Sequence, residues 1–177
     1  MKLLLFLFIA LISLSSLRCQ RNKGSELERL PAITQTGAGT FGCLINGKAY
    51  TSRGHSGNNP NFYIIADPEY FGNLDIRTYH YENGKKESLK MFCYDVTPSP
   101  QTYSVNNASR IWLTYDNENN GCVFLQDSAN YVSGYLKITR YDLQNGIIAG
   151  EFECKFFDAA TSCDTIKITN GRFDYKL

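Results

Sequence analysis

Histidine, excess charge and long apolar runs are what this chain has least of, and each shortage closes off a class of function. The two histidines, His55 and His80, fall in no CxxC, HxxxH or HExxH pattern. Zinc chemistry and a histidine-activated nucleophile therefore have no constellation to build on. The 177 residues carry 18 Lys and Arg against 17 Asp and Glu. Lys2 and Arg18 lie in a leading segment without acids, and when they are set aside 16 basic residues face 17 acidic ones. A chain this close to neutral lacks the surplus cations that grip a phosphate backbone, which argues against nucleic acid as a partner. No apolar run reaches the roughly 20 residues of a membrane-spanning helix. No window of about eleven residues sustains a helical period. The acids are scattered, with no pair marked out as a glycosidase acid/base couple, and nothing in the pattern calls for a cofactor.

What the chain has in quantity is 12 Tyr, 11 Phe and 14 Gly, a composition of strands and tight turns. Short alternating runs fill the body. Leu74, Ile76, Thr78 and His80 alternate with Asp75, Arg77, Tyr79 and Tyr81. Leu89, Met91 and Cys93 alternate with Lys90, Phe92 and Tyr94 after Asn83-Gly84, which predicts a hairpin. Asn46-Gly47 reads as a kink or a type I′ turn within Cys43–Ser52, and Asn145-Gly146 as a third tight turn. Further strands are expected at 62–66, 101–105, 110–115, 121–126, 134–141, 148–156, 165–169 and 172–175. The expectation is an all-β domain, an antiparallel meander of about nine or ten strands closed as a sandwich or barrel. Outward-facing charges and Tyr/Thr disfavour a transmembrane barrel, whose outer face must be apolar.

The chain opens on a secretory pattern. Lys2 precedes the apolar stretch Leu3–Leu14, broken only by Ser13, and then comes Ser15-Ser16-Leu17-Arg18-Cys19. Two cleavage sites compete. A small-x-small site at Ser13-Leu14-Ser15 cuts before Ser16 and releases a soluble secreted protein. Processing before Cys19 makes that cysteine the lipidated first residue of a membrane-anchored envelope protein, at the outer membrane or the periplasmic face. Arg18 stands against the second, because a small residue is usual before the cysteine. The domain organisation expected is a signal peptide at 1–18, a flexible tether at 19–39 and a single β domain at 40–177.

Secretion makes disulfides reasonable. With Cys19 acylated, Cys43, Cys93, Cys122, Cys154 and Cys163 remain. Cys154 and Cys163 flank the short loop 158–162 of an expected hairpin. Cys93 and Cys122 both fall in central strands, which leaves Cys43 free and buried. Cys43–Cys163 competes with the first pair. A second alternative is that all five are buried thiols acting as small hydrophobes. Asp116, Glu118, Asn120 and Asp127 have part of a calcium-loop spacing, although a turn rich in Asn and Gly needs no metal. Tyr79, Tyr81 and Tyr94 fall on outward strand faces, where they can stack on a sugar or a partner protein or pack across strands.

Leu30–Lys48 (LPAITQTGAGTFGCLINGK), Gly134–Thr139 with Asp142, and Asp164–Asp174 (DTIKITNGRFD) resemble the opening and closing segments of a family of small secreted lipoproteins of unknown function from Bacteroidetes-type bacteria. The resemblance implies an envelope lipoprotein of all-β architecture and supplies no catalytic or ligand residues. Bacteria of this type glycosylate Asp-Ser/Thr-apolar sites, which makes Ser128 in Asp127-Ser128-Ala129 a candidate, with Thr165 a second match. The leading expectation is a non-enzymatic envelope domain that binds a protein, glycan or small molecule. The alternatives are a secreted hydrolase using scattered carboxylates and a barrel holding an apolar small molecule.

Overall fold

The computed structural model describes residues 24–55, 57–69, 72–161 and 163–177. The expected signal segment and Cys19 lie outside the described residues. Among those described the strands are β1 (Thr40–Ile45), β2 (Lys48–Thr51), β3 (Phe62–Asp67), β4 (Asn73–Glu82), β5 (Lys85–Cys93), β6 (Gln101–Asn106), β7 (Ile111–Asn117), β8 (Cys122–Leu125), β9 (Tyr131–Asp142), β10 (Ile147–Phe157) and β11 (Ile166–Lys176). Short 3₁₀ turns occupy Glu26–Arg29 and Gln126–Ser128. The strands form two antiparallel sheets, in the orders β2-β1-β11-β10-β9-β6 and β3-β4-β5-β7-β8. They face each other as a sandwich and do not close into a barrel.

The alternation read from the sequence drives this arrangement. Leu74 and Ile76, Leu89, Met91 and Cys93, and Ile111, Leu113 and Tyr115 turn one face of the second sheet inward. Val132, Leu136 and Ile138, with Ile148, Phe152, Cys154 and Phe156, do the same for the first. Aromatic side chains occupy the space between. Phe41 lies 5.5 Å from both Phe62 and Phe152, and Phe124 stacks on Phe156 at 3.8 Å.

Turn chemistry sets two of the hairpins. Asn46-Gly47 and Asn83-Gly84 all have positive φ, between 49° and 79°, so each pair is a type I′ hairpin turn and Cys43–Ser52 is two strands. The two strands expected at 165–169 and 172–175 are one, β11. Asn170 (φ 53°) takes up a left-handed bulge within it, where the pairing register to β10 slips. Thr165 precedes that strand. The chain is also not a plain meander, because β6 leaves the sheet of its sequence neighbours and pairs with β9.

Backbone pairing also joins the two sheets at one corner. Arg53, just beyond β2, forms a parallel bridge to His80 of β4, and its amide donates to the Tyr79 carbonyl. Gly54 follows with φ 80°, and a Cβ there would stand 2.1 Å from the Tyr81 carbonyl oxygen, so the corner requires glycine.

Residues 25–38, expected as part of a flexible tether, are docked. Ser25 and Glu28 cap the first 3₁₀ turn reciprocally. Glu26 accepts the Ala49 amide of edge strand β2 at 2.7 Å, which occupies a group that would otherwise be open to another chain. Leu30 is buried. Arg172 and Arg140 donate to the Pro31 and Gln35 carbonyls. Asp174 then gathers the segment by accepting from the Thr34 hydroxyl and from the Thr36, Gly37 and Ala38 amides.

Both expected disulfides are overturned. The bond present joins Cys122 to Cys163, with Cα atoms 5.0 Å apart. Cys93 lies opposite Ile111 at one end of β7 and Cys122 opposite Asn117 at the other. About 20 Å of strand separates them, far beyond disulfide reach. Cys154 faces the core opposite Gly134 and Ile168, whereas Cys163 sits in the loop between β10 and β11, beside Val123 of β8.

Cys43, Cys93 and Cys154 are free and buried. Burial pushes all three thiols up, Cys154 to about 12. Thiolates are the reactive form. Iodoacetamide at mildly alkaline pH should therefore leave these three untouched in the native protein and label each after denaturation. Peptide mass mapping checks this, and native labelling at Cys93 or Cys154 would contradict the packing.

Candidate binding surface

The outward face of the five-stranded sheet changes character along its length. At the turn end of the β4–β5 hairpin it is polar. Tyr79 is buried there, donates its hydroxyl to the Asn59 carbonyl at 2.8 Å and carries Lys86 over its ring. In the middle, Arg77 grips both Asp75 oxygens and donates to the Tyr63 hydroxyl. The adjoining carboxylate holds the Arg77 guanidinium firmly charged. At the far end the face is aromatic. Phe92 of β5 pairs directly across from Trp112 of β7, so the pleat sends both outward. Tyr94 meets Phe92 edge-on with centroids 4.7 Å apart. Trp112 and Tyr94 are each 43% exposed.

This end is also fixed in shape. The Tyr94 amide donates to the Arg110 carbonyl at 2.9 Å. Asp95 then turns in the left-handed region (φ 59°) and pairs with the Arg110 side chain. Aspartate tolerates that region, so the turn forms without a glycine. Two hollows adjoin here. One, of about 660 Å³, is lined by Tyr94, Trp112, Ser109 and the Asp95–Arg110 pair. The other, of about 490 Å³, shares Tyr94 and that pair and continues onto Gln101, Thr102 and Ser104 of edge strand β6.

A third hollow, of about 570 Å³, lies at the corner where the sheets touch, between the first 3₁₀ turn and the β4–β5 turn. It holds Glu26, Glu82 and Glu87, which brings three of the scattered acids together. Glu26 and Glu82 are the wrong way round for general acid catalysis. The Ala49 amide and Arg29 hold the Glu26 carboxyl below its ordinary range. The Arg53 charge and hydrogen bond do the same for Glu82. A glycosidase acid must instead keep its proton near neutrality. His80 sits beside Glu82, 3.4 Å from its carboxylate, and accepts the Arg53 Nε–H at 2.8 Å. It belongs to the corner's packing, and His55 is exposed in the loop beyond.

The other sequence-predicted residues are dispersed. The Asp116–Gly121 turn ties itself together, since Asn117 and Asn120 accept the Asn119 and Cys122 amides and Glu118 accepts the Lys86 amide. Asp127 is exposed in the second 3₁₀ turn. Ser128 ends that turn, which the Ala129 amide closes by donating to the Gln126 carbonyl, and the Ser128 side chain lies outside the described set. Tyr79 and Tyr81 are far from Tyr94, so the expected tyrosine stripe is not one surface. Trp112 was absent from the candidates. Its signal was its position between the inward residues Ile111 and Leu113, which sends the chain's one tryptophan outward.

No family model, curated protein or solved structure matches the chain.

Proposed function

We propose that the chain is a cell-envelope lipoprotein whose β-sandwich is a non-enzymatic binding domain, anchored through acylated Cys19 and engaging its ligand with Trp112, Tyr94 and Phe92. The observation that carries this reading is the exposure of Trp112 and Tyr94, at 43% each, on a sheet face whose other end is polar and tied down. Large aromatics left in water beside a pinned backbone are the anchors of recognition surfaces. The secretory pattern and the resemblance described above support the envelope location. The depressed Glu26 and Glu82 carboxyls weigh against the hydrolase alternative.

The anchor and the aromatic end also suit each other. At most about 20 Å of chain separates Cys19 from the docked Ser25. The docked segment starts beside the β4–β5 turn. The aromatic end lies at the other end of β5, about 30 Å along the strand. A membrane at the first end leaves the second presented outward. Two or more acyl chains make such anchoring stable, and intact-mass measurement of native protein should find Cys19 as an acylated first residue.

Trp112 is the only tryptophan, so its emission reports on this surface alone. Immobilised protein should retain a component of fractionated envelope extract. Trp112→Ala should abolish retention of the same fraction on immobilised protein while changing stability by less than about 1 kcal/mol, as for other surface substitutions. Retention unchanged by Trp112→Ala would remove this surface from the function.

A further inference from the structure

We infer that the ligand of the aromatic end is a neutral glycan chain lying across both hollows, with one sugar ring stacked on Trp112 and the next units hydrogen-bonded along β6. This inference rests on the binding-surface reading above and adds the chemical class of the ligand.

The two hollows differ in a way that fits a sugar chain. The first presents aromatic faces, on which the C–H face of a pyranose ring can lie. Trp and Tyr supply large contact areas at little cost in side-chain freedom. The second presents Gln101, Thr102 and Ser104, all exposed and uncharged. Each carries both donor and acceptor capacity, which is what a ring of hydroxyl groups requires. Tyr94 lines both hollows, so they form one continuous track. β6 is moreover an edge strand, paired only with β9.

The charges point the same way. Asp95 and Arg110, the ionic residues of both linings, pair with each other. Together they give a polyanion or a charged peptide no net field to bind. The corner hollow at the other end of β5 is ionic instead, with Arg29, Lys48, Arg53 and Lys85 set against Glu26, Glu82 and Glu87, and Arg29 and Arg53 paired to Glu26 and Glu82. An aromatic floor, an uncharged polar wall and a neutralised ion pair make up a polyol site of the usual ligand-pocket kind, mainly apolar with a few placed polar groups.

The test uses the intact chain and soluble neutral oligosaccharides: glucan, mannan, galactan and N-acetylglucosamine series, each as disaccharide and hexasaccharide. At least one series should saturate a change in Trp112 emission. The hexasaccharide should bind at least about tenfold more tightly than the disaccharide. That affinity should stay constant between about 50 and 500 mM salt, since no counterions are released. The double variant Gln101→Ala/Thr102→Ala should bring the hexasaccharide down to disaccharide affinity and leave the disaccharide unchanged. Trp112→Phe, read by calorimetry, should keep stacking and lose less than Trp112→Ala.

If no series binds while an envelope protein fraction or an acidic polymer still engages Trp112, the neutral-glycan inference is overturned and the binding surface survives. If no envelope material engages Trp112, the surface itself fails. If hexasaccharide and disaccharide bind equally, the track along β6 is wrong.

Discussion

Replacing Asp174 with alanine should cost about 3–5 kcal/mol, among the largest effects a single substitution produces. Asp174 is 1% exposed. It accepts the Gly37 amide on one oxygen at 2.7 Å, and on the other the Thr34 hydroxyl, the Thr36 amide and hydroxyl, and the Ala38 amide. Hydrogen bonds to a charged group are worth about 1.5–3 kcal/mol each and are not additive, while donors left unpaired carry their own penalty. Segment 34–38 has little else to hold it. Beyond Asp174 the described contacts are the Arg140 bond to Gln35 and the packing of Gly37 against Lys176 and Ile147. The amides of Thr36, Gly37 and Ala38 should therefore lose hydrogen-exchange protection in Asp174→Ala well before β10 and β11 do. Protection equal to wild type would mean that the carboxylate is not what holds the segment.

The same residue sets an acid limit. Burial raises the Asp174 carboxyl, but the bonds from Thr34, Thr36, Gly37 and Ala38 outweigh it, and the net shift is downward. A carboxylate whose folded pKa lies below its unfolded value, about 3.9, contributes its full stability above that value and loses it as pH falls through the folded pKa. Asp142, held down by Arg140 and Asn145, adds to the same trend. Unfolding free energy measured in urea should fall as pH drops below about 4. The slope should be shallower in Asp174→Asn, which keeps the shape and loses the charge. Equal slopes would assign the acid sensitivity elsewhere.

How much of this was legible in the sequence depended on the range of the interaction. The strands and the I′ turns at Asn46-Gly47 and Asn83-Gly84 follow from local chemistry, in that a period-2 run and a pair of residues tolerant of positive φ state their own conformation. The outward position of Phe92 and Tyr94 was readable for the same reason. The docking of 30–38 was not. Residues such as Thr34-Gln-Thr-Gly-Ala-Gly-Thr40 are a loop by composition, and what fixes them is a carboxylate about 140 positions away. The site failed differently. Trp112 and Phe92 are neighbours only through the β5–β7 pairing, and β6, which intervenes in sequence, belongs to the other sheet. A reading that paired successive strands could not bring Tyr94, Trp112 and Gln101 together. The disulfides were misassigned for that reason as well, since partners were sought across one loop or within one sheet.

The observed bond is the more effective crosslink, and removing it should produce the second large effect. Cys122 begins β8, the edge of the five-stranded sheet, and Cys163 lies in the loop that joins β10 to β11 of the six-stranded sheet. The bond thus ties the two layers directly where β8, only four residues long, contributes little pairing of its own. The separation of 41 residues corresponds to about 4 kcal/mol in the chain-entropy treatment of an unfolded loop, against roughly 2–3 kcal/mol for the short Cys154–Cys163 loop that the sequence suggested. Cys122→Ala/Cys163→Ala should lower the urea midpoint accordingly, and dithiothreitol should lower the wild-type midpoint to the same value and leave the double variant unmoved. Strand β8 should loosen first, with exchange rising at Val123 and Phe124 before β7. The aromatic end is held through β5 and β7, so Trp112 emission in the native baseline should not change on reduction. A midpoint that reductant does not shift would show that the sheets hold without the bond. A shift accompanied by altered Trp112 emission would show that the crosslink also shapes the binding surface.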